Sequence, residues 1–255
     1  MPHIQKFASL ILLCLFSNST LAADRLLVAV ASNMSYPMTD IATSFHQETE
    51  TQAKLTFGSS GNFARQIIQG APFKLFLSAD KQYVELLKEN GLKIISDVKY
   101  ARGRIGFFIP NDSPMYNSES LNAVTKLLIH GDYSRLTIAN PDHAPYGLAA
   151  QQALQSAGLW VMETRRLLLA ENAAQAMQIA LSGNVDVGII PASFMYLPAI
   201  KDKGRFLLIP EHWHQPLQQH LVLLEGANNT EKQFFDYMQN EQSDSIVENY
   251  GYSIQ

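Results

Sequence analysis

The stretch LTFGSSGNFARQI (residues 55–67) sets two serines and two glycines between an apolar run and a segment of helical periodicity. Apolar residues after the turn recur at the spacing of one helix face until Gly70, so a strand passes directly into a helix here. Ser59 and Ser60 occupy the turn itself. They are interpreted either as turn and capping residues or as donors that capture an anion at the helix start.

The same succession of strand and helix recurs along the chain. Apolar runs that predict strands are RLLVAVAS, AKLTFGSS, KLFLSAD, GRIGFFIP, RLTIANP, RRLLLAEN, VDVGIIP and HLVLLEG. Helical patterns follow several of them, and EKQFFDYMQNEQSDSIVENYG is expected to form one or two closing helices. Strands alternating with helices predict an α/β architecture with largely parallel sheets.

Four of the turns between a strand and a helix carry small or polar residues, at positions 32–33, 59–61, 145–147 and 172–173. Ligands of open α/β sheets bind beyond the carboxyl ends of the strands, where each following helix presents unpaired N–H groups and the positive end of its dipole. Capping alone explains any one of these turns. Four such turns in one chain favour a binding site for an anion, which would need no Lys or Arg.

The first 22 residues predict a secretory signal peptide. One Lys precedes an apolar run over residues 7–16, and small residues follow it, with cleavage expected after Ala22 or, as a second choice, after Ala23. The run is shorter than the ~20 residues of a membrane span, which disfavours the alternative of an anchor. Leu13 before Cys14 disfavours lipidation. The mature protein is expected in the periplasm.

Composition excludes several classes of protein. The mature chain would contain no cysteine, and therefore no disulfide and no thiolate nucleophile. The whole chain has 19 basic and 23 acidic side chains; loss of Lys6 with the signal leaves 18 minus 23, or −5. The sequence contains no stripe of basic residues that would suggest nucleic acid as a partner. The length of the mature chain fits one large domain or two small ones.

Other constellations of reactive residues favour no catalytic site and no cation site. His212, His214 and His220 surround Trp213 in a polar loop, where surface histidines are more common than a metal centre. The GSSG turn does not match the G-x-S-x-G motif of serine hydrolases. The pair 142–143 (Asp-His) is interpreted as loop chemistry in a turn that contains proline.

A resemblance to a known family rests on motifs spread over nearly the whole mature chain. They are VAVASNM, FGSSGNFARQIIQGAP, ANPDHAPYGLAAQQAL, LAENAAQAMQIALSGNVDVGII, LVLLEGANN and YGYSIQ. In these motifs the chain resembles the molybdate-binding proteins of bacterial molybdenum uptake transporters. The resemblance implies a type II periplasmic binding protein fold, in which two α/β lobes close over a ligand cleft and the chain crosses between them twice. Lobe one would comprise residues 24–101 and 206–255, and lobe two residues 102–205.

The resemblance also implies a ligand and partners. The ligand would be molybdate, with tungstate alongside, held without any cofactor. The protein would act as a monomer and deliver the ligand to the membrane permease of an ABC transporter with its ATPase. The positions that match the ligand-binding residues of the family are Ser32, Asn33, Ser60, Tyr146 and Ala173, the last through its backbone N–H alone.

Two positions depart from the family pattern. Pro191 stands where some members place a ligand-binding tyrosine, and proline offers neither a hydroxyl nor an N–H. We therefore expect Tyr146 to supply the missing hydroxyl. Lys74 stands where the family usually has an acid.

The chemistry of these residues suits a tetrahedral dianion. Molybdate and tungstate carry no proton at neutral pH, so a site of neutral donors matches their four acceptor oxygens. Sulfate has the same charge and shape, so discrimination would rest on the size of the cleft. The alternatives are the same fold binding another oxyanion or a divalent metal, or a periplasmic enzyme. Because no acid–base or nucleophile constellation is present, a transport binding protein is favoured.

Overall fold

The computed structural model of the protein describes residues 26–160 and 166–255. The predicted signal peptide, its cleavage site and Cys14 lie outside the described residues. Among the described residues, no helix is both long and apolar enough to cross a membrane.

Eleven strands are described, and most coincide with the apolar runs that predicted them. In chain order they are β1 Leu26–Ala31, β2 Ala53–Gly58, β3 Leu75–Ser78, β4 Ile94–Gly103, β5 Ile105–Pro110, β6 Leu136–Ala139, β7 Leu167–Ala170, β8 Val187–Pro191, β9 Gly204–Leu208, β10 Leu217–Leu224 and β11 Ser253–Ile254. The strands β4, β9 and β11 were not predicted. In β4 the apolar residues are interrupted by polar ones over SDVKYARG, so no continuous apolar run marks it.

Nine α-helices connect or flank these strands within the described residues. They are α1 Ser35–Thr49, α2 Ser60–Ile68, α3 Lys81–Glu89, α4 Leu121–His130, α5 Pro145–Ser156, α6 Ala173–Leu181, α7 Pro198–Lys201, α8 Asn229–Tyr237 and α9 Glu241–Asn249. Short 3-10 helices follow β1 at Ser32–Met34 and β8 at Ala192–Tyr196. The closing segment forms two helices, and Asn228 starts the first of them with a capping box.

The strands form two sheets, which confirms the predicted α/β fold with two lobes around a cleft. The first sheet has the order β11-β4-β10-β3-β1-β2 and the second β7-β6-β8-β5-β9. The prediction of largely parallel sheets is wrong, since only β1–β2, β1–β3, β6–β7 and β6–β8 pair in parallel. The strands next to the crossings, β4, β5, β9 and β10, pair antiparallel with their neighbours.

We call the first sheet with its helices lobe one and the second sheet with its helices lobe two. Only Arg104 separates β4 of lobe one from β5 of lobe two, and residues 209–216 lead from β9 back to β10. The predicted boundaries therefore fall inside β4 and β9. Phe206 pairs with Phe108 and Leu208 with Gly106, so residues 206–208 belong to the second sheet.

Each sheet buries its own apolar side chains. The first packs Val28, Val30, Leu77 and Leu221 against Phe45 and Phe234 of its helices. The second packs Phe107, Ile138 and Ile189 against Leu154 of α5. The apolar cluster of the second sheet also includes Ala31, Ala79 and Leu217 of lobe one, so apolar packing continues from one lobe to the other where they meet.

Candidate anion-binding site between the lobes

All five residues predicted to bind the ligand line one small cavity between the lobes. Ala31, Gly58, Ser59, Ala144 and Pro145 complete its lining. Four strand-to-helix turns converge here, after β1, β2, β6 and β7. The described residues that line the cavity include no charged side chain.

Lobe one contributes hydroxyl groups that each accept one backbone hydrogen bond. The Oγ atom of Ser60 accepts a hydrogen bond of 3.0 Å from the N–H of Ala79, in a fully buried setting. The Oγ atom of Ser32 accepts one of 3.2 Å from the N–H of Ala174 across the cleft. A hydroxyl that accepts a hydrogen bond keeps its own proton to donate. Both serines can therefore donate towards the cavity.

Lobe two contributes the starts of two helices. Pro145 opens α5, so Tyr146 is the second helical residue, and Ala173 is the first residue of α6. The first N–H groups of a helix have no acceptor within the helix. Within the described part of the chain, the N–H groups of Tyr146 and Ala173 donate to no protein atom. The positive ends of both helix dipoles add to the attraction for an anion at this point.

A buried polar network lies behind the cavity, on the side where the chain crosses between the lobes. The Nδ2 atom of Asn33 lies 2.8 Å from Oε1 of Gln219, 3.0 Å from the hydroxyl of Tyr252 and 3.4 Å from that of Tyr146. Tyr252 and Ser193 both donate to the backbone oxygen of Asn33, at 2.9 and 3.2 Å. The side chain of Asn33 is thus held between the two lobes.

Sequence reasoning did not identify Gln219, Ser193 or Tyr252 as members of this network. Gln219 is fully buried and therefore needs a partner, but it stands between the polar residues Gln218 and His220, so the sequence does not mark it as buried. Ser193 follows Pro191 by two residues, so the turn that lacks the family tyrosine still bonds to Asn33.

Burial keeps the phenols of this network protonated. Loss of solvation, reinforced by the neighbouring Tyr252, raises the pKa of Tyr146 well above its ordinary value, and the hydrogen bond from Asn33 opposes the shift. Burial also raises the pKa of Tyr100 and Tyr252. The hydroxyl of Tyr146 is therefore neutral throughout the physiological range and remains a possible donor.

Gly103, the last residue of β4, has no side chain and so leaves room for the hydroxyl of Tyr146. A Cβ atom on Gly103 would lie 1.9 Å from the hydroxyl oxygen of Tyr146, far inside van der Waals contact. Any larger residue at the crossing would displace this side chain of lobe two.

The remaining predictions concern residues outside the cavity. His143 was interpreted as loop chemistry; it is instead buried, and its Nδ1 lies 3.0 Å from Oγ of Ser59 in the other lobe. His214 and His220 have separate partners, the backbone oxygen of Gln215 and the carboxylate of Asp97. Among the described residues, no group of three His, Cys, Asp or Glu side chains could hold a metal ion.

Lys74 lies away from the cavity. It immediately precedes β3, at the opposite end of the strand from Ala79, and lines a surface groove with Lys93 and Leu224. This departure from the family pattern therefore does not reach the residues around the cavity.

The chain crosses twice between two α/β lobes, and a cavity lined by hydrogen-bond donors lies where they meet. This arrangement defines a solute-binding protein of the periplasmic type. The chain belongs to the family of bacterial extracellular solute-binding proteins, whose model matches residues 26–253. The family predicted from the sequence motifs is thereby confirmed.

Three molybdate-binding proteins are similar to this chain over most of their length. The chain is 35% identical to the molybdate-binding protein ModA of Azotobacter vinelandii, over 89% of each chain. It is 32% identical to ModA of Rhodobacter capsulatus, over 91% of this chain and 89% of the relative, and 30% identical to ModA of Escherichia coli K12, over 93% and 92%.

Solved structures agree. The periplasmic molybdate-binding protein of Azotobacter vinelandii superposes with a TM-score of 0.82 at 27% identity, over 91% of this chain and all of that one. The sulfate-binding protein SubI of Mycobacterium tuberculosis superposes with a TM-score of 0.68 at 15% identity, covering 89% of this chain and 85% of its own; at that identity it shows the shared fold alone.

Proposed function

We propose that this protein is a periplasmic solute-binding protein that captures molybdate, and tungstate with it, for uptake by an ABC transporter. In this proposal the signal peptide exports the chain, and the monomer delivers its ligand to a membrane permease with its ATPase. Support comes from the ModA relatives, which are 30–35% identical over most of their length. The observation that carries the proposal is a cavity that offers neutral donors from both lobes and no charged side chain.

The proposed ligand-binding residues are Ser32, Asn33, Ser60, Tyr146 and Ala173. A molybdate dianion would accept from the two serine hydroxyls of lobe one and from the helix-start N–H groups of lobe two. Each hydrogen bond to a charged group contributes about 1.5–3 kcal/mol. Five to seven of them, after the costs of desolvation and closure, correspond to micromolar to nanomolar affinity, roughly 8–12 kcal/mol. Donors from both lobes would make ligand binding favour the closed cleft.

The composition of the cavity disfavours the alternatives. A divalent cation needs acceptors, whereas this lining presents O–H and N–H groups. An enzyme would need an acid or a base that faces the cavity. The described lining residues include no His, Asp, Glu, Lys or Cys, and His143, which contacts Ser59, lies outside the lining. Binding of another tetrahedral oxyanion is the remaining candidate, because sulfate and molybdate differ mainly in size.

Thermal unfolding with a panel of ions tests this function. We expect molybdate and tungstate to stabilise the mature protein, by about 2.7 kcal/mol at 100 times the Kd, and sulfate and phosphate far less. Equal shifts from sulfate and molybdate would refute selection by size. A shift with Zn²⁺ or Ni²⁺ alone would replace the oxyanion assignment with a cation site.

A further inference from the structure

A second set of polar contacts joins the lobes beside the cavity. We define the mouth cluster as Ser59, Gly61 and Asn62 of lobe one with His143 and Glu171 of lobe two. The Nδ1 atom of His143 lies 3.0 Å from Oγ of Ser59, and its backbone oxygen accepts a hydrogen bond of 2.9 Å from the N–H of Gly61. Its Nε2 atom lies 3.7 Å from Oε2 of Glu171, whose other oxygen accepts from the side chain of Asn62.

The backbone of lobe one at Gly61 is in close contact with the backbone of lobe two at His143. A Cβ atom on Gly61 would lie 2.8 Å from the backbone oxygen of His143 and 2.9 Å from its Cα. Contacts below 3.0 Å to backbone cannot be relieved by rotating a side chain. The glycine of the GSSG turn is therefore required for the lobes to meet at this point.

His143 differs from the proposed ligand-binding residues because it does not line the cavity. Its neighbour Ser59 does, next to Ser60. The imidazole is only 8% exposed, so its hydrogen bond to the opposite lobe is largely shielded from water. A shielded bond between lobes must break whenever the cleft opens, and opening precedes the release of an enclosed ligand.

We propose that His143 is a positioning residue that holds the cleft closed over the bound oxyanion and sets how slowly the ligand leaves. This inference rests on the proposed function for the identity of the ligand. It predicts that loss of the imidazole accelerates dissociation and leaves association nearly unchanged, because the donors that contact the ligand are intact.

Stopped-flow kinetics with molybdate test the proposal. We expect His143→Ala to raise the dissociation rate constant about tenfold, the equivalent of one to two hydrogen bonds, with association changed less than twofold. His143→Asn keeps a polar atom near the position of Nδ1 and should restore most of the residence time. The matched control is His130→Ala, an exposed histidine of the same lobe. An unchanged dissociation rate in His143→Ala, or an equal increase in the control, would overturn the proposal.

A measurement without ligand separates this proposal from the function on which it rests. The only cysteine of the chain lies in the predicted signal peptide, so spin labels can be attached at Glu89→Cys in lobe one and Lys126→Cys in lobe two, both exposed. We expect His143→Ala to shift the distance distribution between the labels towards an open cleft. An unchanged distribution would overturn the role of His143. Failure of the unsubstituted protein to bind molybdate would overturn the proposed function instead, and the distance measurement would still decide the role of His143.

Discussion

The two walls of the cavity present hydrogen-bond donors of different kinds. Lobe one presents hydroxyls, on Ser32 and Ser60, whereas lobe two presents mainly backbone N–H groups, at Tyr146 and Ala173. A hydroxyl is lost with a single common substitution. A backbone N–H survives every substitution except proline. The two walls should therefore respond very differently to mutation, although both are proposed to face the same ligand.

The largest effect is expected from Ser60→Ala, because this hydroxyl has two tasks. Its loss removes one proposed donor to molybdate, which should weaken binding roughly 10- to 150-fold. It also leaves the buried N–H of Ala79 without its acceptor, which should lower the free energy of unfolding by about 1–3 kcal/mol. Calorimetric titration and urea unfolding measure the two effects, with the exposed Ser134→Ala as control. An unchanged Kd would remove Ser60 from the proposed site.

Tyr146→Phe tests the hydroxyl of Tyr146, the one side-chain donor among the proposed ligand-binding residues of lobe two. If its hydroxyl contacts the ligand, the substitution leaves an oxygen of the anion unpaired in a dry cavity, and binding should weaken by about 1.5–3 kcal/mol, or roughly 10- to 150-fold. Tyr133→Phe, in the core of the same lobe, is the control. A Kd that stays the same in calorimetry would show that the hydroxyl serves the network of Asn33 alone.

Ala173→Pro removes the backbone N–H that Ala173 contributes to the lobe-two wall. Every other substitution at this position keeps that N–H. Proline is well tolerated at the first position of a helix, and the extended backbone of Asn172 suits the residue before a proline. We expect molybdate binding to weaken about tenfold, with little change in the midpoint of urea unfolding. Ala173→Val adds comparable bulk but keeps the N–H. Equal losses in both variants would attribute the effect to volume and contradict the backbone donor.

The smallest effect at neutral pH concerns Tyr100, a fully buried phenol of β4 near Tyr252. Folding raises the pKa of Tyr100, so the folded state retains a proton that the unfolded state loses above pH 10. The free energy of unfolding should therefore fall as the pH rises from 10, by up to about 1.4 kcal/mol per pH unit for each such phenol. Urea unfolding between pH 8 and 11 should show a shallower fall in Tyr100→Phe. An identical slope would contradict the raised pKa.

The sequence identified the turns that line the cavity because the signals that mark them are local. An apolar run that stops at a serine, followed by helical spacing, marks the end of β1 or β2 without knowledge of any other residue. Parallel strands then bring such ends to the same edge of a sheet. This is why Ser32 could be placed near Ser60 and Tyr146 near Ala173, whereas the meeting of the two pairs across a cleft was implied by the family resemblance.

The partners of these residues could not be predicted in the same way. The N–H of Ala79 that bonds Ser60 and the N–H of Ala174 that bonds Ser32 carry no signal in their side chains. The antiparallel insertion of β10 and the approach of His143 to Gly61 depend on chain paths through both lobes. Periodicity reports burial along one element and contains no information about which distant backbone will face it.

The order of strands in the first sheet has a consequence for the sequence in which the two lobes fold. Strand β10 lies between β3 and β4, so residues 217–224 must arrive before that sheet becomes continuous. The second sheet draws all its strands from the unbroken segment 105–208. Its pairings close shorter loops, which favours early assembly. Lobe one, although it begins first, is completed last, and its wall of the cavity gains its full sheet only after β10 has been added.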